Sequence, residues 1–253
     1  MPVELGQVWK LGRHRLMCGD ATSREDVETL LDGLTADLTL TDPPYGVNVI
    51  SKNVAQGTVA SQKLTQQTKL DIPQSRLPKP RQYEPVIGDD NTDAARAHYD
   101  LAAEFSENQV IFGGNYFTDF LPVSKSWIVW DKQNGHNNNF ADGELAWTSF
   151  TKVLKIYQWR WAGMIRKGKR DIELKERIHP TQKPVGLLKE ILEDFTEENA
   201  SVLDCFAGSG STLIACEVSN RTCYAMELSP GYCEKIIGRW ETLTGKEAEL
   251  VSS

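Results

Sequence analysis

The chain has no apolar stretch near the roughly 18 residues that span a bilayer, and no charged-then-apolar leader opens it, so a cytoplasmic protein without a membrane partner is expected. Its five cysteines, Cys18, Cys205, Cys216, Cys223 and Cys233, are odd in number and include no Cys-x-x-Cys pair. That argues against a disulfide frame or a zinc knuckle and leaves buried thiols. The histidines His14, His98 and His136 lack ligand spacing, so no metal site is expected. No internal repeat is visible. An excess of basic residues is missing too: the net charge is −7, which on its face speaks against a polyanionic partner. What is present, 253 residues of which 40% are hydrophobic and 25% charged, suffices for one folded domain with a large core.

Against that background two motifs stand out. The apolar run Ala36–Thr41 ends in Asp42-Pro43-Pro44-Tyr45. A strand closing on an acid, two prolines and an aromatic ring puts a carboxylate, an unladdered carbonyl and a stacking surface at one sheet edge. Asp42 and the carbonyl of Pro43 can accept both hydrogens of an exocyclic amine while Tyr45 stacks on its ring. A strand followed by a proline turn is the plain alternative. Downstream, the apolar run 201–204 enters Cys205-Phe206-Ala207-Gly208-Ser209-Gly210 and then the helical run Ser211–Val218, a glycine-rich strand-to-helix turn of the nucleotide-binding kind. It has no Gly-Lys-Ser/Thr ending and no third glycine, so it is neither a P-loop nor a full dinucleotide fingerprint. Glu227 ends the next strand-like run, 17 residues past Gly210, where an acid can grip ribose hydroxyls.

Together these motifs resemble the amino-group DNA methyltransferases that use S-adenosylmethionine, in the branch where Asp-Pro-Pro-Tyr precedes Phe-x-Gly-x-Gly. Two further blocks carry the resemblance: His179-Pro180-Thr181-Gln182-Lys183-Pro184 ahead of the helical stretch 185–195, and Leu16-Met17-Cys18-Gly19-Asp20 near the start. The resemblance implies a Rossmann-like α/β methyltransferase fold, with a circularly permuted, mostly parallel sheet and inserted target-recognition segments. It implies Asp42, Pro43, Pro44 and Tyr45 as the catalytic set. It assigns the cofactor to Asp20, Asp204, Phe206, Ala207, Gly208, Ser209, Gly210, Thr212 and Glu227, joined by His179, Thr181 and Lys183. Double-stranded DNA is the implied partner, a homodimer stays open, and a bacterial or phage setting with restriction-modification follows by resemblance.

Charge distribution bears on DNA. Residues 52–85 carry six bases against Asp71 and Glu84, a net of +4, and residues 152–183 carry ten against Asp171, Glu173 and Glu176, a net of +7. The remainder therefore holds −18, so an acidic body bears two basic segments that suit a duplex, although solvated loops carry such runs as well. Residues 51–85, rich in glutamine and proline and nearly free of apolar periodicity, read as a mobile DNA-contacting loop in a single domain of 1–253, and 131–178 as a target-recognition insertion.

Elsewhere the pattern alternates as an α/β sheet should. A strand over 15–19 precedes a helix over 23–31 with Ser23 as N-cap; a helix is expected over 93–105, with strands at 109–112 and 127–130 and an edge or late strand at 155–161. Gly113-Gly114-Asn115-Tyr116 reads as a turn or a pocket wall, and Trp127, Trp130, Trp147, Trp159 and Trp161 as mainly core. By resemblance, Asp at the first motif position favours adenine over the N4 amine of cytosine. Asn would be more usual in enzymes that act on RNA or on a glutamine amide, and a noncatalytic DNA-binding copy would be expected to have lost Asp42, Tyr45 or the glycine turn.

Overall fold

The computed structural model describes residues 2–47, 89–134, 141–162, 165–166 and 182–252. The expected loop at 51–85, His136, and much of 131–178 lie outside the described residues. Along the chain run β1 (Val8–Leu11), β2 (His14–Cys18), α1 (Arg24–Leu31), β3 (Ala36–Thr41), α2 (Asp93–Phe105), β4 (Ser106–Phe112), a 3-10 turn (Gly114–Tyr116), β5 (Trp127–Asp131) and β6 (Gly143–Thr148). Then follow β7 (Lys155–Gln158), the short pair β8 (Trp161–Ala162) and β9 (Ile165–Arg166), α3 (Val185–Phe195), β10 (Ser201–Asp204), α4 (Ser211–Val218), β11 (Thr222–Glu227), α5 (Pro230–Thr244) and β12 (Glu249–Ser252).

Ten strands form one sheet in the order β12-β1-β2-β11-β10-β3-β4-β6-β5-β7. Its centre, β2-β11-β10-β3-β4, is wholly parallel. The flanks are largely antiparallel, with β12 and β1 on one side and β6 between β4 and β5 on the other. β2 and β3, from the first 41 residues, thus flank β11 and β10, from the last third. This is the chain order expected of a permuted sheet.

Side-chain alternation explains the layering. Leu16 and Cys18 of β2, with Leu38 and Leu40 of β3, join a core shared with Leu187 and Ile191 of α3, Leu213 of α4, and Ile236 and Trp240 of α5. Met17 points the other way, into a cluster with Val27, Leu30 and Leu31 of α1. Helices therefore cover both faces, as a parallel sheet requires. The amide of Asp26 donates to the Ser23 hydroxyl at the start of α1, as its sequence suggests, and Ser229 caps α5 in the same way, with Pro230 at the first turn.

β2 is pinned by a buried polar cluster. The His14 ring accepts from the Cys223 amide at Nδ1 (2.9 Å) and donates from Nε2 to Glu217 (3.0 Å), a pattern only the neutral ring can make. Burial lowers its pKa, whereas His14, Trp240 and Arg13 hold Glu217 down to about 2. His14 and His98 are both core residues, all five cysteines are free and buried, and Trp130, Trp147, Trp159 and Trp161 are buried as expected. β7 lies at the sheet edge but ends at Gln158, and β6 is a strand with no counterpart in the sequence reading. Among the described residues no helix is long and apolar enough to cross a membrane.

Gly186, in the first turn of α3, lies against the indole of Trp159: an added Cβ would fall 2.1 Å from its ring. Gly186→Ala should therefore destabilise the fold by about 1–3 kcal/mol through overpacking, outweighing the helix propensity gained, roughly 1 kcal/mol. Urea denaturation reads this as a lower midpoint; an unchanged midpoint would mean the indole yields freely.

Candidate active site

The central parallel strands β2, β3, β10 and β11 deliver their functional residues to one edge. Asp20 follows β2, Asp42 follows β3, Asp204 ends β10 and Glu227 ends β11, and the cleft beyond these carboxyl ends is lined by all four. Pro43, Pro44, Tyr45, Phe206, Ala207, Gly208, Ser209, Thr212 and Lys183 share its wall. Gly210 does not. It adopts φ +71° as the residue that opens α4, and its α-carbon backs onto Ile236. His179 and Thr181 lie outside the described residues.

One end of the cleft is built around Glu227. The glycine turn, with Gly208 at φ +51°, aims the Gly208 amide at one carboxylate oxygen of Glu227 (2.8 Å), and the Ser229 amide reaches the other (2.9 Å). Burial nevertheless pushes Glu227 up to about 7. Asp204 is pushed up to about 6 by burial, although it accepts from the Thr41 hydroxyl (2.8 Å) and the Phe206 amide (3.2 Å). Thr41 thus ties the glycine turn to the strand that carries Asp42. Asp20 is exposed, its carboxylate held by the amide and hydroxyl of Thr22, both at 2.8 Å.

The other end is built around Asp42. Its two oxygens accept from the Tyr45 hydroxyl and from Lys183 Nζ (2.5 Å). Lys183 Nζ also lies 3.1 Å from Glu144 on β6, whose other oxygen meets Lys132 at 2.6 Å. Burial pushes the Asp42 carboxyl up against the pull of the Lys183 ammonium, and Glu144 adds to the push. Against the penalty of burial, Asp42 and Glu144 hold Lys183 above its ordinary value. Glu144 is held down to about 2 by the two lysines despite its own burial. The resemblance assigns Lys183 to the cofactor; the structure sets its ammonium on Asp42.

Tyr45 stacks on Tyr116 with ring centroids 5.0 Å apart and planes 13° off parallel, and turns an edge to Phe117. This approach requires a glycine at 113. Its φ is +73°, and a Cβ there would sit 2.2 Å from the Tyr45 ring. The Gly113–Tyr116 stretch is thus both a turn and a wall behind the aromatic ring.

Among the described residues, the cleft holds Asp20, Asp42, Asp89, Asp204 and Glu227 against the single ammonium of Lys183. Such a lining suits a cationic ligand that also presents hydroxyl donors. Fold and cleft together define a Rossmann-like methyltransferase.

The chain belongs to the N6/N4 DNA methylase family, whose model matches residues 79–238. YubD of Escherichia coli (strain K12) is 52% identical over 56 residues, 22% of this chain and 25% of that protein. The type II methyltransferase M2.MboI of Moraxella bovis is 27% identical over 138 residues, 51% of this chain and 46% of that protein. The matches thus span less than half the length of these curated relatives. A crystal structure of the M1.HpyAVI–SAM complex shares the fold, with a TM-score of 0.52 and 23% identity over 88% of this chain and 97% of that one.

Proposed function

We propose that the protein methylates the exocyclic amine of adenine at specific sites in double-stranded DNA, using S-adenosylmethionine. The observation that carries this reading is a single cleft with the Asp-Pro-Pro-Tyr edge at one end and the glycine turn with Glu227 at the other. The anionic lining fits a sulfonium cofactor, and the M1.HpyAVI neighbour was solved with one. Glu227 would take the ribose hydroxyls, with Asp20 and the Phe206 side of the turn toward the adenine ring. When bound, the cofactor supplies a methyl group already activated for transfer.

The chain's own residues orient and polarise. Asp42 and the Pro43 carbonyl accept the amine hydrogens, which favours a more tetrahedral nitrogen and stabilises the positive charge that develops on it. A carboxylate offers about four lone-pair sites, so Asp42 can take an amine hydrogen while Lys183 stays in place. Holding the reacting groups in line contributes roughly 7–11 kcal/mol. The base must leave the duplex to reach this end of the cleft, at a cost of a few kcal/mol that stacking on Tyr45 partly offsets. The basic segments 52–85 and 152–183 supply phosphate contacts, and the cytoplasm is where such a substrate is met.

Adenine is preferred on the Asp of the first motif; cytosine N4 is the alternative, since the family embraces both amines. The test is transfer of a labelled methyl group to unmodified DNA, followed by digestion to nucleosides. Label in N6-methyladenine is expected. Label in N4-methylcytosine would transfer the reading to the alternative, and label at carbon 5 of cytosine would sink it, because that reaction requires a thiolate nucleophile and the chain's described cysteines are buried.

A further inference from the structure

We infer that Glu144 is a positioning residue for methyl transfer, a charge counterweight that acts on Asp42 through Lys183. The inference rests on the amino-methyltransferase reading and concerns the order of charges at the Asp42 end of the cleft. Nothing in the chain's motifs marks Glu144: it lies on β6, about a hundred residues from Asp42, and reaches the site because β6 pairs with β4, which pairs with β3.

The difficulty Glu144 resolves is electrostatic. Attack by a neutral aromatic amine places positive charge on its nitrogen, and Asp42 stabilises that charge only while its own is not cancelled. Yet the Lys183 ammonium sits 2.5 Å from Asp42, with only 7% of its side chain exposed. Asp42 and Lys183 alone are a neutral pair, and the new cation would form beside an existing one. Glu144, 3.1 Å from the same ammonium, makes the trio Asp42–Lys183–Glu144 net negative. Lys132 meets the far oxygen of Glu144, on the side away from Lys183, and holds that carboxylate in place. Its charge stands one carboxylate further from Asp42, so it subtracts less than Glu144 adds. Among the described residues, the Tyr45 hydroxyl on Asp42, Tyr116 behind Tyr45 and, more remotely, Asp204 also face the cluster.

Gln keeps the size of Glu144 but has one acceptor oxygen where two lysines face two. It therefore removes the charge and one of the two lysine contacts, and the double variant, which removes Lys183 as well, separates the two effects. Single-turnover methyl transfer is to be followed across pH 6–9, at saturating cofactor and DNA, for the wild type, Glu144→Gln, Lys183→Met and the double variant. Titration of cofactor and of DNA on each variant gives the affinities separately. Glu144→Gln should slow transfer by roughly tenfold to a hundredfold with both affinities unchanged, since the lost charge acts in the transition state and Lys183 keeps Asp42 as its partner. Lys183→Met alone should be slow as well, and its acid limb should move to higher pH, because two neighbouring carboxylates left without their lysine compete for a proton. The double variant restores a net charge of −1 on Asp42 and should be at least tenfold faster than Glu144→Gln. A Glu144→Gln rate equal to wild type, or a double variant no faster than Glu144→Gln, overturns the counterweight alone. Absence of transfer by the wild type to any DNA overturns the amino-methyltransferase reading, and the counterweight with it.

Discussion

Asp42→Ala should lower the rate of methyl transfer by about 10²–10³-fold, the usual loss when one group aimed at developing charge is removed. The structure says why cofactor affinity should survive. Asp42 stands at the opposite end of the cleft from Glu227, and the amides of Gly208 and Ser229 that set Glu227 do not touch it. The fold should survive as well, because Lys183 keeps Glu144 as its partner when Asp42 is lost. The variant therefore separates chemistry from binding: labelled-methyl transfer should collapse while equilibrium titration with S-adenosylmethionine gives the wild-type constant. Full activity in Asp42→Ala would end the proposed role of the motif.

Glu227→Gln should move two measurements in opposite directions. Binding of S-adenosylmethionine should weaken by about 1–3 kcal/mol, the scale of lost charged hydrogen bonds. The cofactor-free protein should instead become more stable at pH 8. Glu227 is pushed up to about 7, so the folded state holds its proton more tightly than the unfolded chain does. A group of this kind contributes stability below its unfolded pKa, near 4.3, and that stability is lost as pH rises through about 7. At pH 8 the buried charge thus costs up to about 3.5 kcal/mol, which a neutral amide avoids. The Gln side chain gives up one of the bonds from the Gly208 and Ser229 amides, at about 1–3 kcal/mol, so the net gain is expected to be about 1–2 kcal/mol. The same sign governs binding in the wild type. Affinity should fall as pH drops below about 7, because the ribose hydroxyls need the ionised carboxylate, and it should level off above. Asp204, at about 6, steepens the fall further down. A melting temperature at pH 8 no higher than wild type, together with unchanged cofactor affinity, would remove Glu227 from this role.

The parts of the site legible in the sequence are those written in contiguous residues. Asp42-Pro43-Pro44-Tyr45 and the turn through Gly208 announce themselves because strand, turn and acid follow one another along the chain, and local geometry alone brings them to a sheet edge. Ser23 before α1 and the helical spacing of α2 are legible for the same reason. Glu144 is not, since Gly143–Thr148 carries no alternation that marks a strand, and its neighbours are set by antiparallel pairing to distant elements. Lys183 was visible as a residue but not as a partner. Its motif ties it to the cofactor, whereas the start of α3 delivers it to the end of β3. The stack of Tyr116 on Tyr45 depends on an approach through Gly113 that no spacing reveals.

The interleaved strand order also dictates when the molecule can assemble. β2 pairs with β11, joining Arg15 to Tyr224, so a strand waits for a partner made about 200 residues later. At 5–20 residues per second, about 200 residues of synthesis take roughly 10–40 s. During that time the nascent β2 has only its hairpin with β1 to occupy its edges. The central sheet must therefore close after translation has passed β11, with the slow search typical of distant parallel pairing. Refolding slower than that of a sheet of the same size built from neighbouring strands follows from this topology.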